Sequence, residues 1–215
     1  IIFTSGGSEA DNLAIKGVAL AQRQAGKGAH VICSAIEHHA VLHAVEQLGE
    51  LGFEYTLLPV NSDGLVSPAD LRAAIRPDTV LVSVMYANNE IGTIQPIAEL
   101  GAICHEYGVL FHTDAVQAAG VLPLDVNALN VDLLTLSAHK FYGPKGVGVL
   151  YVRRGVPLMP LISGGGQERR RRAGTENVAG IVGMATALRL AEEQRAQTVA
   201  HCTPLRDRLI AGVLE

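Results

Sequence analysis

At 215 residues, with 48% hydrophobic and only 18% charged positions and a mean hydropathy of +0.26, the chain is long enough for one sizeable domain with an extensive apolar interior. A net charge of -4 supplies no general attraction to nucleic acid, and no apolar run is long enough to span a bilayer. Three cysteines, Cys33, Cys104 and Cys202, show neither metal-ligand spacing nor the even, close-set pattern of a disulfide framework, so a reducing, cytoplasmic compartment is expected.

The chain opens directly in a strand, Ile1–Thr4, with no turn before it. Further strands are expected at His30–Ala35, Glu54–Pro59, Val80–Tyr86, Val109–Thr113, Leu133–Ser137 and Val147–Val152. Helical patterns lie between them at Ser8–Gln24, Ala40–Leu51, Pro68–Ile75, Ile97–Tyr107 and Ala115–Ala119, and a last one covers Asn177–Arg195. Ser8 with Asp11 three residues on can cap the first helix, and Ser67-Pro68 and Gln95-Pro96 suit the starts of the third and fourth. Gly26, Gly52 and Gly108 fall where helices should stop. Alternating strands and helices predict an α/β fold of three layers around a mainly parallel seven-stranded sheet. The tight turn Gly143-Pro144-Lys145-Gly146 makes the last strand antiparallel. The chain ends within a helical pattern, Leu205 to Glu215, and reads as an internal piece of a longer protein. Residues 1–195 form the expected domain, and 196–215 a linker helix.

In an open α/β sheet, ligands sit outside the carboxyl ends of the strands. Nearly every polar cluster of this chain falls at that edge: Ser5-Gly6-Gly7-Ser8-Glu9, Glu37-His38-His39, Asn88-Asn89-Glu90, Asp114-Ala115-Val116-Gln117 and Ser137-Ala138-His139-Lys140. Lys140 closes a buried strand, where a low-dielectric wall favours a neutral, nucleophilic amine able to hold an aldehyde cofactor as a Schiff base. Ser5-Gly6-Gly7-Ser8 opens a helix and suits a phosphate, or is a plain capped strand–helix turn. No Gly-Lys-Ser/Thr follows, so it is not a Walker A loop. Asp114 is either a helix N-cap or the partner of a protonated pyridine nitrogen. His38, nearest its strand end, can stack on a flat ring. His39 and His43 are four apart, but no third ligand follows, so no metal site is expected. Asn89, Gln117, Ser137 and His139 gain interest by sharing the edge with Lys140. The run Arg169–Arg172 lacks interleaved aromatic residues and suits a solvated loop, an anion or a partner subunit better than nucleic acid.

Thr4-Ser5-Gly6-Gly7-Ser8-Glu9-Ala10-Asp11-Asn12, Glu37-His38, Asn88-Asn89-Glu90-Ile91-Gly92, Asp114-Ala115-Val116-Gln117, Ser137-Ala138-His139-Lys140 and Gly174-Thr175-Glu176-Asn177 together closely resemble the cysteine desulfurases, class V members of the fold type I pyridoxal-phosphate enzymes. The resemblance runs from end to end and implies the large, cofactor-binding domain of that fold. It implies that Lys140 holds pyridoxal 5'-phosphate and shuttles the substrate α-proton, that Asp114 pairs with the ring nitrogen, and that His38 stacks on the ring. Asn89 and Gln117 would lie near the ring oxygen or substrate, and Gly7, Ser8, Ser137 and His139 would hold the phosphate. Family members often carry threonine where this chain has Ser8, which keeps the hydroxyl. Thr175 would reach the phosphate of the partner subunit in a homodimer.

The reaction implied is transfer of sulfur from L-cysteine to an enzyme cysteine, releasing alanine and serving a sulfur-acceptor scaffold protein. The family's nucleophilic cysteine and substrate-carboxylate arginine lie beyond this chain, and Cys33, Cys104 and Cys202 do not occupy the nucleophile position. A fragment without them is expected to bind cofactor without turnover. Two alternatives stand beside this expectation: a selenocysteine lyase or other class V enzyme, and a non-catalytic domain acting through dimer or scaffold contacts.

Overall fold

The computed structural model describes residues 1–214, so Glu215, the last position of the expected linker helix, lies outside the described residues. Seven strands form one sheet: β1 (Ile2–Thr4), β2 (His30–Ser34), β3 (Glu54–Leu58), β4 (Thr79–Ser83), β5 (Leu110–Asp114), β6 (Leu133–Ser137) and β7 (Gly148–Val152). Their spatial order is β1-β7-β6-β5-β4-β2-β3. β7 alone is antiparallel, to both β6 and β1, and so lies inside the sheet, second from its β1 edge. The expected mainly parallel sheet with a reversed last strand is therefore present. The reversal uses a short turn in which Tyr142 and Gly146 take left-handed φ values of 65° and 79° and the Gly143 N–H donates to the Ala138 carbonyl.

Helices α1 (Gly7–Gln24) and α2 (His39–Glu50) cover one face, and α3 (Pro68–Ala74) and α4 (Ile97–Glu106) the other. The alternation of strand side chains assigns the two cores. Val31 and Cys33 pack with Leu13, Val18 and Val45, whereas Ile32 packs with Leu71, Leu100 and Phe111. Strands β2, β4 and β6 are buried at every position, as a sheet covered on both faces requires. At about 1.5–3 kcal/mol for each fully buried large aliphatic side chain, these two cores dominate the favourable side of folding.

Several local expectations change. α1 starts at Gly7, after Gly6, with no side-chain cap. Upstream of the helix, the Ser5 N–H donates to Glu9 Oε2 at 2.8 Å, which leaves the first N–H groups of α1 uncapped. Ala115–Ala119 is a series of turns, not a helix. Its N–H groups close short loops, Ala118 onto Ala115 and Val121 onto Ala118, before Gly120 at φ 77° redirects the chain. After a short turn labelled α5 (Gln167–Arg170), helix α6 (Val178–Leu214) runs on past Arg195 without a break and includes Pro204. Ser67 caps α3 as expected, and Gly26, Gly52 and Gly108 follow α1, α2 and α4 with positive φ. Among the described residues, no helix is long and apolar enough to cross a membrane.

Candidate functional site

Because β1 and β2–β6 point the same way, the segments after β1, β2, β4, β5 and β6 arrive at one edge. There they enclose a cavity of about 230 Å³. Gly7, Ser8, His38, Asn89, Asp114, Gln117, Ser137, His139 and Lys140 all line it, so the structure brings together every sequence-expected site residue except Thr175. Gly7, Asp114 and Ser137 form a buried floor, while Ser8, His38, Asn89, His139 and Lys140 stand at an exposed rim. Lys140 is thus more exposed than its strand-end position predicted. A 3-10 turn, Ala138–Phe141, lifts it beyond the end of β6.

Each wall is fixed locally. His38 caps α2, its Nδ1 accepting from the Ala40 N–H at 3.1 Å. The neutral ring then carries its proton on Nε2. Ser137 Oγ and His139 Nδ1 are 3.1 Å apart. At the start of α1, a Cβ on Gly7 would meet Val116 Cγ2 at 3.0 Å and Ser137 Cβ at 3.3 Å, so glycine keeps this helix end open. The first N–H groups of α1 have no intrahelical acceptor, and no side chain caps them, which leaves donors and a positive dipole end for an anion.

Asp114 ends β5 almost wholly buried, with Oδ1 accepting from the Val116 N–H at 2.9 Å. Burial raises its carboxyl above the usual range, against the pull of the Val116 N–H, His38 and Lys140. Asp11, from α1, also lines the cavity and is almost wholly buried. Burial, followed by the Asp114 charge, holds its carboxyl well above the usual range. The Val116 N–H and the Lys140 amine favour the ionised form of Asp114, and neither acts on Asp11, so the negative charge of the pair rests on Asp114 and the proton on Asp11. Next to them, burial pushes Glu37 up to about 8; its Oε1 accepts from Ser34 Oγ and the Met85 N–H.

A buried aspartate without a full counter-charge, a lysine amine at the rim, an imidazole beside it and an open helix end fit one ligand class. That class is a flat, cationic heteroaromatic ring with an aldehyde and a phosphate. Pyridoxal phosphate has these groups. Asp114 could take its ring nitrogen, Lys140 its aldehyde and the α1 turn its phosphate.

Asp11, Met85 and Val116 line the cavity without having been expected there. Asp11 had a legible signal: it shares a helical stripe with Ala14, Ile15 and Val18, where a charge is anomalous. Thr175 lies apart, in a smaller cavity of about 150 Å³ with Ser5, Gly146 and Arg172. His39 and His43 stack at 4.8 Å on the exposed surface, and no group of three metal-binding side chains occurs among the described residues. Burial pushes the Cys104 thiol up to about 12, and raises that of Cys33 as well, so both are inert thiols; Cys202 is exposed on α6.

Residues 1–214 match the family described as aminotransferase class-V. The chain is 59% identical over 215 residues to the cysteine desulfurase IscS of Methanosarcina thermophila, covering all of this chain and 53% of that protein. Over 213 residues it is 57% identical to the IscS of Dictyoglomus turgidum, covering 99% of this chain and 54% of that one. It spans about half the length of these curated relatives. Among solved structures, a NifS-like protein superposes with a TM-score of 0.94 at 44% identity, over 99% of this chain and 58% of that one. DndA from Streptomyces lividans gives 0.92 at 42%, over 99% and 61%. The chain belongs to the class-V aminotransferase family and carries the fold of its pyridoxal-phosphate enzymes.

Proposed function

We propose that this chain is the cofactor-binding part of a cysteine desulfurase, which moves the sulfur of L-cysteine to an enzyme cysteine and releases L-alanine. One observation carries the reading: the Lys140 amine, the buried Asp114 carboxylate and the open end of α1 line a single cavity. The identity to cysteine desulfurases at 59% and 57% supports it.

When bound, pyridoxal phosphate supplies an aldehyde for the Lys140 amine and a ring that accepts the electron pair released at the substrate α-carbon. The residues do the rest. Asp114, desolvated and negative, keeps a proton on the ring nitrogen by ion pairing. His38 covers the ring, with its Nε2 proton directed away from the cap bond to Ala40. Gly7, Ser8, Ser137 and His139 bind the phosphate; Asn89 and Gln117 orient the ring oxygen or the substrate. Lys140 Nζ, at the cavity rim, would accept the substrate α-proton and return a proton to the product carbon. A cysteine thiolate would attack the substrate sulfur: an S–S bond forms, the C–S bond breaks with its electron pair left on the substrate β-carbon, that carbon takes up a proton to become the methyl group of alanine, and the protein keeps a persulfide. Cys33 and Cys104 are buried and protonated, and Cys202 stands on α6 outside the cavity lining, so this reading assigns that cysteine to the half of the relatives' length that this chain does not span.

Residues 1–195 form the cofactor domain in this reading, and 196–215 lead to a further domain. Thr175 reaches the phosphate of a second subunit in a homodimer, which its separate, exposed position supports. A sulfur-acceptor scaffold protein is the partner, and three free cysteines support a cytoplasmic setting. The test is alanine release from L-cysteine by the full-length protein: one alanine per persulfide formed is expected, and none from Lys140→Ala. Alanine release that survives the loss of Lys140 would overturn the reading.

A further inference from the structure

Arg172 makes a contact that the proposed reaction does not use. Its Nε donates to Glu9 Oε1 at 2.8 Å and its Nη2 to Glu9 Oε2 at 3.2 Å, a two-point ion pair between positions 163 residues apart. The two side chains are only 21% and 20% exposed. Of the arginines at 169–172, Arg172 alone has an ion-pair partner among the described residues. Glu9 is the only acidic residue in the first turn of α1, and it also accepts from the Ser5 N–H and Ser5 Oγ.

We propose that Arg172 is an electrostatic positioning residue for the phosphate turn: by forking onto Glu9 it cancels the one carboxylate at the end of α1 that would repel a phosphate. The inference rests on the reading of Ser5–Ser8 as the phosphate turn. A carboxylate in the first turn of a helix stabilises the empty helix but competes with a bound anion for the same N–H groups and dipole. Tied down by a guanidinium, Glu9 keeps its bonds to Ser5 while its charge is neutralised. Burial would raise the Glu9 carboxyl, but the bonds from Arg172 and Ser5 outweigh it and keep it ionised.

The route of the chain supports the same role. Glu168, Arg169 and Arg170 all have positive φ, of 44°, 58° and 64°. Non-glycine residues adopt this conformation only when held in place. The Gly174 N–H bond to Gln167 Oε1 at 3.2 Å and the Arg172–Glu9 fork hold this segment.

The test is a pair of variants whose effects should have opposite signs. Inorganic phosphate binding to the full-length protein is measured by calorimetry for the wild type, Arg172→Ala and Glu9→Gln. Arg172→Ala should weaken phosphate binding by about tenfold, and Glu9→Gln, which leaves the guanidinium unopposed, should tighten it by about threefold or more. Pyridoxal without phosphate should bind all three alike. Arg172→Lys, which keeps the charge and loses the fork, should bind phosphate within about threefold of the wild type. A purely structural role would weaken phosphate and pyridoxal together in both variants. That result, an unchanged phosphate affinity, or no phosphate binding by the wild type would overturn the proposal; if Arg172→Ala does not fold, the sign for Glu9→Gln decides. Loss of Lys140-dependent alanine release with the phosphate order intact would instead sink only the reading of the reaction.

Discussion

Asp11 Oδ1 lies 3.7 Å from His112 Nε2, and both side chains are shut off from solvent. The pair is a neutral contact. His112 already spends its ring nitrogens on Ser83 Oγ at 2.8 Å and Thr135 Oγ1 at 3.0 Å, and burial pushes it down to about 3. Asp11 keeps its proton for the same reason, with Asp114 beyond it. Beneath the cavity lies a layer of uncharged polar groups, which leaves Asp114 as the one negative charge presented to a ligand.

This layer makes stability depend on pH in a way that His112 and Glu37 divide. The folded-state pKa of His112 falls from 6.5 to about 3, so its contribution is complete above pH 6.5 and is lost as the pH falls toward 3. Urea unfolding between pH 7 and pH 4 should show this loss, and His112→Gln should flatten that limb at a cost in stability at pH 7 of about 1–3 kcal/mol.

Glu37 acts in the opposite direction. Its pKa rises from 4.5 to about 8, so its contribution is complete below pH 4.5 and disappears as the pH climbs through 8. Glu37→Gln keeps an acceptor for Ser34 and Met85 without the ionisation. Above pH 8 it should be more stable in urea unfolding than the wild type, by more than about 1 kcal/mol. Equal alkaline slopes in the two proteins would contradict the assignment.

Asp114→Asn removes the charge while keeping the shape and the bond to the Val116 N–H. Cofactor should bind at least about tenfold more weakly, and α-proton removal in the full-length protein should slow by about a hundredfold or more, since an uncompensated ring charge in a buried site costs several kcal/mol. Exchange of the substrate α-proton with solvent deuterium, followed by NMR, measures this step.

Gly148 lets β7 pass the phosphate turn. A Cβ there would fall 2.4 Å from the Gly6 carbonyl carbon and 2.5 Å from its oxygen. Neither neighbour is a flexible side-chain end, so Gly148→Ala must displace the turn itself. The expected outcome is a stability loss of about 2 kcal/mol or more in thermal melts, with phosphate affinity falling alongside.

Much of this was legible in the sequence. Strand runs, the positions after Gly26, Gly52 and Gly108, and the gathering of Lys140, Asp114 and His38 at one edge follow from periodicity and the rule for parallel sheets. The Ala115–Ala119 helix failed because five residues before a left-handed glycine cannot establish a hydrogen-bonded ladder. His112 escaped notice because it looks ordinary alone, and Asp11, although anomalous on the apolar stripe of α1, has no partner legible in the sequence. Only the packing of α1 against β5 reveals that both are buried and share a neutral network. The Arg172–Glu9 fork is beyond any local pattern, as 163 residues separate its ends.

The most direct measurement fixes the cofactor to the protein with borohydride and maps the adduct by mass spectrometry. The chain has four lysines: Lys16, Lys27, Lys140 and Lys145. In the full-length protein loaded with pyridoxal phosphate, a single adduct on Lys140 is expected, lost in Lys140→Ala and weakened in Asp114→Asn. An adduct on Lys145 or Lys16, or none on Lys140, would contradict it.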